Sequence, residues 1–125
     1  MVSTYRDLQV WQKALALCLD VYHVTRRFPR NEAYGLAGQM QRAAVSIPSN
    51  VAEGFGRRTT ADFLRSLYIA YGSVCELQTQ LMIAAQLGYD TPDGIDRLAK
   101  LSGDVERLTK ALIRSLERKR SPLEH

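Results

Sequence analysis

Histidines and cysteines are few in this chain, and its side chains form no recognisable catalytic or metal-binding set. Its two histidines are His23, on the polar face of an apolar-periodic stretch, and His125 at the extreme C-terminus. A Ser-His-Asp arrangement has almost no histidine to draw on, and the Glu-x-x-His pairs that hold a di-iron centre in a helical bundle do not occur. Cys18 and Cys75 form no Cys-x-x-Cys pair and read as two reduced, apolar core residues. Gly54-Phe55-Gly56-Arg57-Arg58 lacks the Gly-x-x-x-x-Gly-Lys-Ser/Thr order of a phosphate-cradling loop and reads as a two-glycine turn. The chain reads as a non-enzyme: no catalytic residue, metal site, cofactor or small-molecule substrate is implied.

One polar constellation calls for an explanation. Gln39, Arg42, Ser46, Asn50, Glu53 and Arg57 recur on one side of a stretch rich in small residues, among them Gly38, Ala43, Ala44, Ser49, Ala52, Gly54 and Gly56. Small residues let a neighbouring helix approach closely, and polar groups enclosed there must find partners. One reading is a buried polar network of Arg42, Ser46, Asn50 and Glu53, completed by Glu76 from further along the chain. The other is a solvated helix face. A catalytic carboxylate pair would need a nucleophile, imidazole or metal-ligand set beside it, and none is present.

The elements that position these residues are helical. With 125 residues, 46% apolar and 24% charged, the chain has the balance of one globular domain, over residues 1–120, and not of a disordered segment. Apolar residues recur at spacings of three and four, with no sustained alternation of the strand type. The first predicted helix runs from Asp7 to Phe28, where Pro29 and Asn31 stop it. The second opens after Asn31 as N-cap and reaches Gly54, with Pro48 predicting a kink over residues 44–47. The third spans Thr60 to Leu87, opened by a Thr59 and Asp62 pair that resembles a capping box and closed by Gly88. The fourth starts at Thr91-Pro92 and ends near Arg118. Long helices with short connections predict an all-α, antiparallel up-down-up-down four-helix bundle with a proline kink in helix 2.

No apolar run approaches the roughly 20 residues of a bilayer crossing, and residues 1–7 lack a signal peptide's apolar segment, so no membrane association is expected and the expected location is the cytoplasm. Residues 121–125 read as a disordered tail, with Leu123-Glu124-His125 the remnant of an expression tag.

Two apolar stripes cover the first predicted helix. Leu8, Trp11, Leu15, Cys18, Tyr22 and Thr25 form the seam expected to face the bundle core. Val10, Ala14, Leu17, Val21, Val24 and Phe28 form a second, about 110° further round at 100° per residue. The third helix is broader still, its Phe63, Ala70, Leu77 line joining two others. One bundle core buries about one arc per helix, so the surplus predicts a partner surface, most simply another copy of the chain. Val10, Leu17, Val21, Val24, Phe63 and Leu77 are the expected interface residues.

Charge is uneven along the bundle. The sequence carries 17 Lys and Arg against 13 Asp and Glu, a formal net charge of +4. Up-down topology gathers Arg6, Arg57, Arg58, Arg65, Lys110, Arg114, Arg118, Lys119 and Arg120 at one end with only Asp7, Glu53, Asp62 and Glu117. At the other end, five basic residues (Arg26, Arg27, Arg30, Arg97, Lys100) meet five acidic ones (Asp20, Glu32, Asp90, Asp93, Asp96). Cations at a helix C-terminus account for Arg114 to Arg120. They do not account for Arg57 and Arg58, which precede a helix N-terminus. A basic pole of this kind fits the phosphate backbone of RNA or DNA, with Arg57, Arg58, Arg65, Arg114, Arg118, Lys119 and Arg120 as the expected contacts.

The run from Gln41 to Gly54 (QRAAVSIPSNVAEG), followed by Arg57 and by Phe63 to Leu77, resembles the signature of the bacterial four-helix-bundle proteins of the 23S rRNA intervening-sequence family. Asp7-Leu8-Gln9-Val10-Trp11-Gln12-Lys13-Ala14 and Gln86-Leu87-Gly88-Tyr89 are similar too, so the resemblance spans about residues 5–118. It implies a four-helix subunit assembling as a homopentamer, with some family genes lying in spacers of large-subunit ribosomal RNA genes. The related accessory variability proteins of diversity-generating retroelements use a similar pentamer to bind a reverse transcriptase and nucleic acid. Two functions are therefore carried forward: a bundle whose basic pole binds RNA, DNA or a nucleic-acid-handling partner, and a self-assembling scaffold with protein partners only.

Overall fold

Thr4, Thr59 and Thr91 each open a helical element by accepting a backbone N–H ahead of them: Arg6 N at 2.8 Å, Asp62 N at 3.1 Å and Gly94 N at 3.2 Å. The computed structural model describes residues 2–120; residues 121–125, with the expected tail and tag remnant, lie outside the described residues. Four helices result, α1 (Gln9–Thr25), α2 (Leu36–Phe55), α3 (Thr60–Leu87) and α4 (Pro92–Lys119), with short 3-10 turns at Tyr5–Asp7 and Arg30–Glu32. No strand occurs among the described residues.

The expected start of α2 is corrected. Asn31 is not its cap: it sits inside the 3-10 turn, and α2 begins at Leu36, whose N–H donates to Glu32 Oε1 at 3.1 Å. The same Glu32 accepts from the Tyr89 hydroxyl at 2.7 Å, tying the α1–α2 connection to the α3–α4 connection. α3 ends where Gly88 takes a left-handed φ of 69°, which glycine adopts without a Cβ penalty. α2 runs through buried Pro48 as one helical element.

Each helix packs on the next in sequence, and α1 closes the square against α4. Tyr68 bonds Glu117 while Gln78 bonds Glu106, so moving up α3 means moving down α4, as antiparallel neighbours require. The fold is the expected four-helix bundle. Its centre holds Leu17, Val21 and Val24 of α1, Met40, Ile47 and Val51 of α2, Leu64, Leu67, Val74 and Leu77 of α3, and Leu98 and Val105 of α4. Gly54 lets α2 and α3 approach closely: a Cβ there would lie 2.7 Å from Ser66 Cβ and 2.8 Å from Phe63 Cδ1.

The two stripes of α1 exchange the roles expected of them. Val10, Leu17, Val21 and Val24, and with them Leu77 of α3, are buried inside the single chain, and Phe63 is half-buried against the same core. The five buried residues are core of the single chain and offer no surface to another copy, while Phe63 packs against that core with part of its surface open. The other stripe turns toward the α1–α2 groove, where Trp11, Leu15 and Cys18 meet Val45, Pro48 and Ala52, leaving Leu15 and Tyr22 exposed. The cysteine expectation is half corrected as well. Cys18 is buried, which pushes its thiol pKa up, whereas Cys75 is exposed.

Candidate nucleic-acid interface

The end of α2, the connection through Gly56–Thr59, the start of α3 and the end of α4 meet at one end of the bundle. Arg57 follows the last turn of α2 and pairs with Glu53, one turn back. Lys110 is paired with Glu106 at 3.2 Å and lies 5.5 Å from the Tyr71 ring centroid, and Glu106 and the Tyr71 hydroxyl raise its pKa. The pole's acidic residues are largely engaged. Glu53 holds Arg57, Glu117 accepts from the Tyr68 hydroxyl at 2.7 Å, and Asp7 accepts from the backbone of Ser3 and Thr4, which lowers its pKa.

Arg58, Arg65, Arg114, Arg118 and Lys119 are exposed and enter no ion pair among the described residues, while Arg120 is half-buried. The opposite end is built differently. Arg27 grips Asp90 with bonds of 2.7 and 2.9 Å, and Arg97 grips Asp20 with two of 3.0 Å. These pairs raise the arginine pKa values and hold Asp90 below the usual carboxylate range. Arg26, Arg30 and Lys100 at that end are exposed and outside any ion pair among the described residues as well, but Asp93 and Asp96 stand in solvent with them, so the two ends differ in net charge and not in the number of paired cations.

The polar stripe of α2 divides. Asn50 Nδ2 donates to Ser46 O at 2.8 Å and to Ser46 Oγ at 3.0 Å, and buried Ser73 of α3 donates to Ser46 Oγ at 2.8 Å. Arg42, Glu53 and Glu76 do not join them. Arg42 is exposed and makes no ion pair among the described residues, Glu53 serves Arg57, and Glu76 accepts from Gln80 at 3.4 Å. The reason is register: Arg42 and Glu53 are about 16 Å apart along one helix, too far to share Glu76. Arg42 and Glu76 instead line an open polar groove with Gln39, Ser46 and Ser73.

Sequence reasoning missed Tyr68 and Tyr71 as parts of the polar surface. Their i, i+3 spacing near the start of α3, on the end where α4 is most basic, was the available signal. Among the described residues no group of three or more His, Cys, Asp or Glu is arranged to hold a metal ion, and no helix is long and apolar enough to cross a membrane.

Together these features define a four-helix bundle with one neutralised and one basic end. The profile of the 23S rRNA-intervening sequence protein family matches residues 6–113, and the chain belongs to that family. A solved structure of a protein of unknown function from the S23 ribosomal protein family of Bacteroides thetaiotaomicron has the same fold. It matches with a TM-score of 0.78 at 21% identity, over 84% of this chain and 95% of that one. No curated protein matches the sequence.

Proposed function

We propose that this protein is a non-enzymatic, self-associating bundle of the cytoplasm whose basic pole holds the phosphate backbone of RNA or DNA, alone or with a nucleic-acid-handling partner such as a reverse transcriptase. The observation that carries this reading is the asymmetry of net charge between the two ends of the bundle. At one end nine basic residues stand with four acidic ones, and Arg58, Arg65, Arg114, Arg118 and Lys119 are exposed and outside any ion pair among the described residues, while at the other end five basic residues stand with five acidic ones. Clustered cations bind polyanions by releasing condensed counterions, without base recognition. The test is whether nucleic acid co-purifies with the protein and is removed by nuclease, and whether Arg57→Glu with Arg58→Glu weakens binding to a labelled duplex.

Self-association is supported by apolar side chains left in solvent: Leu19 at 56% and Met82 at 69% exposure, with Leu15, Tyr22, Ile83 and Leu87 beside them. They lie on different helices, α1 and α3, which are not neighbours around the square. Two different patches on one subunit make a head-to-tail contact, the kind that closes into a ring, and the homopentamer implied by the family resemblance is such a ring. The same patches favour the second reading, a scaffold with protein partners only, in which the basic pole serves solubility. Binding that is undetectable at low salt selects that reading.

A further inference from the structure

Between α3 and α4, within the basic end, lies an open groove of about 360 Å³ lined by Tyr68, Tyr71, Lys110, Ile113 and Arg114. Its floor is apolar through buried Ile113, one wall carries two tyrosines, and the other carries two cations. Tyr68 is 47% exposed, and its hydroxyl is bonded to Glu117, the carboxylate contributed by the last turns of α4. Lys110 stands by the Tyr71 ring, and Arg114 enters no ion pair among the described residues. Arg65 lies one turn before Tyr68 and Arg118 one turn after Arg114, both exposed, so the cationic track continues toward the pole.

We propose that this groove is a site for single-stranded nucleic acid, in which Tyr68 is a stacking surface for an unpaired base while Arg114, Arg65 and Arg118 hold the adjoining phosphates. An aromatic side chain set among cations is the combination that distinguishes single-strand binding from general polyanion binding. Every base has a π-face, and stacking adds to the backbone attraction. A duplex keeps its bases stacked on each other and gains only the electrostatic part. The inference rests on the proposed basic-pole function and narrows it to a strand class and a place. The groove lies about 20 Å along α3 from exposed Met82, leaving the apolar patch free for another subunit.

The experiment compares fluorescein-labelled oligo(dT), oligo(U) and a DNA duplex of the same length, by anisotropy, on the full chain and on Tyr68→Leu and Tyr68→Phe. Tyr68→Leu should weaken both single strands about tenfold and leave the duplex within about twofold. Tyr68→Phe, which keeps the ring and loses the bond to Glu117, should stay near wild type and also shows that the site tolerates substitution. Single-strand binding unchanged in Tyr68→Leu overturns the inference while leaving the basic-pole function standing, as does an equal loss on the duplex. A changed particle mass in Tyr68→Leu assigns the groove to a second copy and also overturns it. Wild-type protein that binds none of the probes overturns both.

Discussion

Arg27 holds Asp90 through two hydrogen bonds, and the aspartate side chain keeps only 1% of its surface exposed while the arginine keeps 50%. The bond joins the end of α1 to the turn before α4 and sits beside the Glu32–Tyr89 bond and the Phe28–Tyr89 ring contact. It consumes one positive charge at that end, as Arg97 with Asp20 consumes another. The positive excess remains at the far end.

The Arg27 guanidinium, against the opposing cost of burial, lowers the Asp90 pKa below its unfolded value. A depressed carboxylate contributes stability that is fully present above its unfolded pKa and is lost as pH falls through the folded one. Asp90→Asn should cost about 1–2 kcal/mol at neutral pH, a figure held down because Arg27 is half in solvent. In acid the two proteins should converge. Urea midpoints measured from neutral to acidic pH check this, and an undiminished gap in acid contradicts it.

Gly54 and Gly72 should respond oppositely to alanine. A Cβ on Gly54 enters Ser66 and Phe63, whereas one on Gly72 meets nothing within 4 Å. Gly54→Ala should lose about 1–3 kcal/mol by overpacking. Gly72→Ala should gain about 0.5–1 kcal/mol, because alanine is the better helix former. Chemical denaturation of the two variants reads both signs.

Leu17 and Leu19, two residues apart on α1, should separate folding from assembly. Leu17 is 1% exposed, and Leu17→Ala should cost about 2–5 kcal/mol of stability. Leu19 is in solvent in the single chain, and Leu19→Glu should change subunit stability by only about 0.5 kcal/mol while lowering the assembled mass. Light scattering with thermal melts tests the pair. A wild-type monomer mass at micromolar concentration removes the self-association proposal.

Helix number, the Thr59 and Thr91 caps, the Gly88 stop and the placement of charge by pole were legible in the sequence, because each rests on local spacing. Which stripe of α1 faces the centre was not. Periodicity measures the width of an apolar arc, but its direction is set by where α2 and α4 stand, and Val10, Leu17, Val21 and Val24 won the centre. The Arg42, Glu53 and Glu76 grouping failed for a related reason. Face-sharing was visible along each helix, but the axial register that sets Ser46 against Ser73 was not. Glu32 as the partner of Leu36 N was hidden because it reaches α2 from a 3-10 turn outside the helix.

The most direct test of the basic-pole claim compares the two ends in one titration. Duplex affinity is followed against salt for wild type, for Arg58→Glu with Arg118→Glu at the basic end, and for Arg26→Glu with Lys100→Glu at the other. Affinity should fall linearly on logarithmic axes, with a shallower slope and weaker binding for the basic-end variant only. Equal losses from both variants, or a wild-type affinity indifferent to salt, would contradict the account.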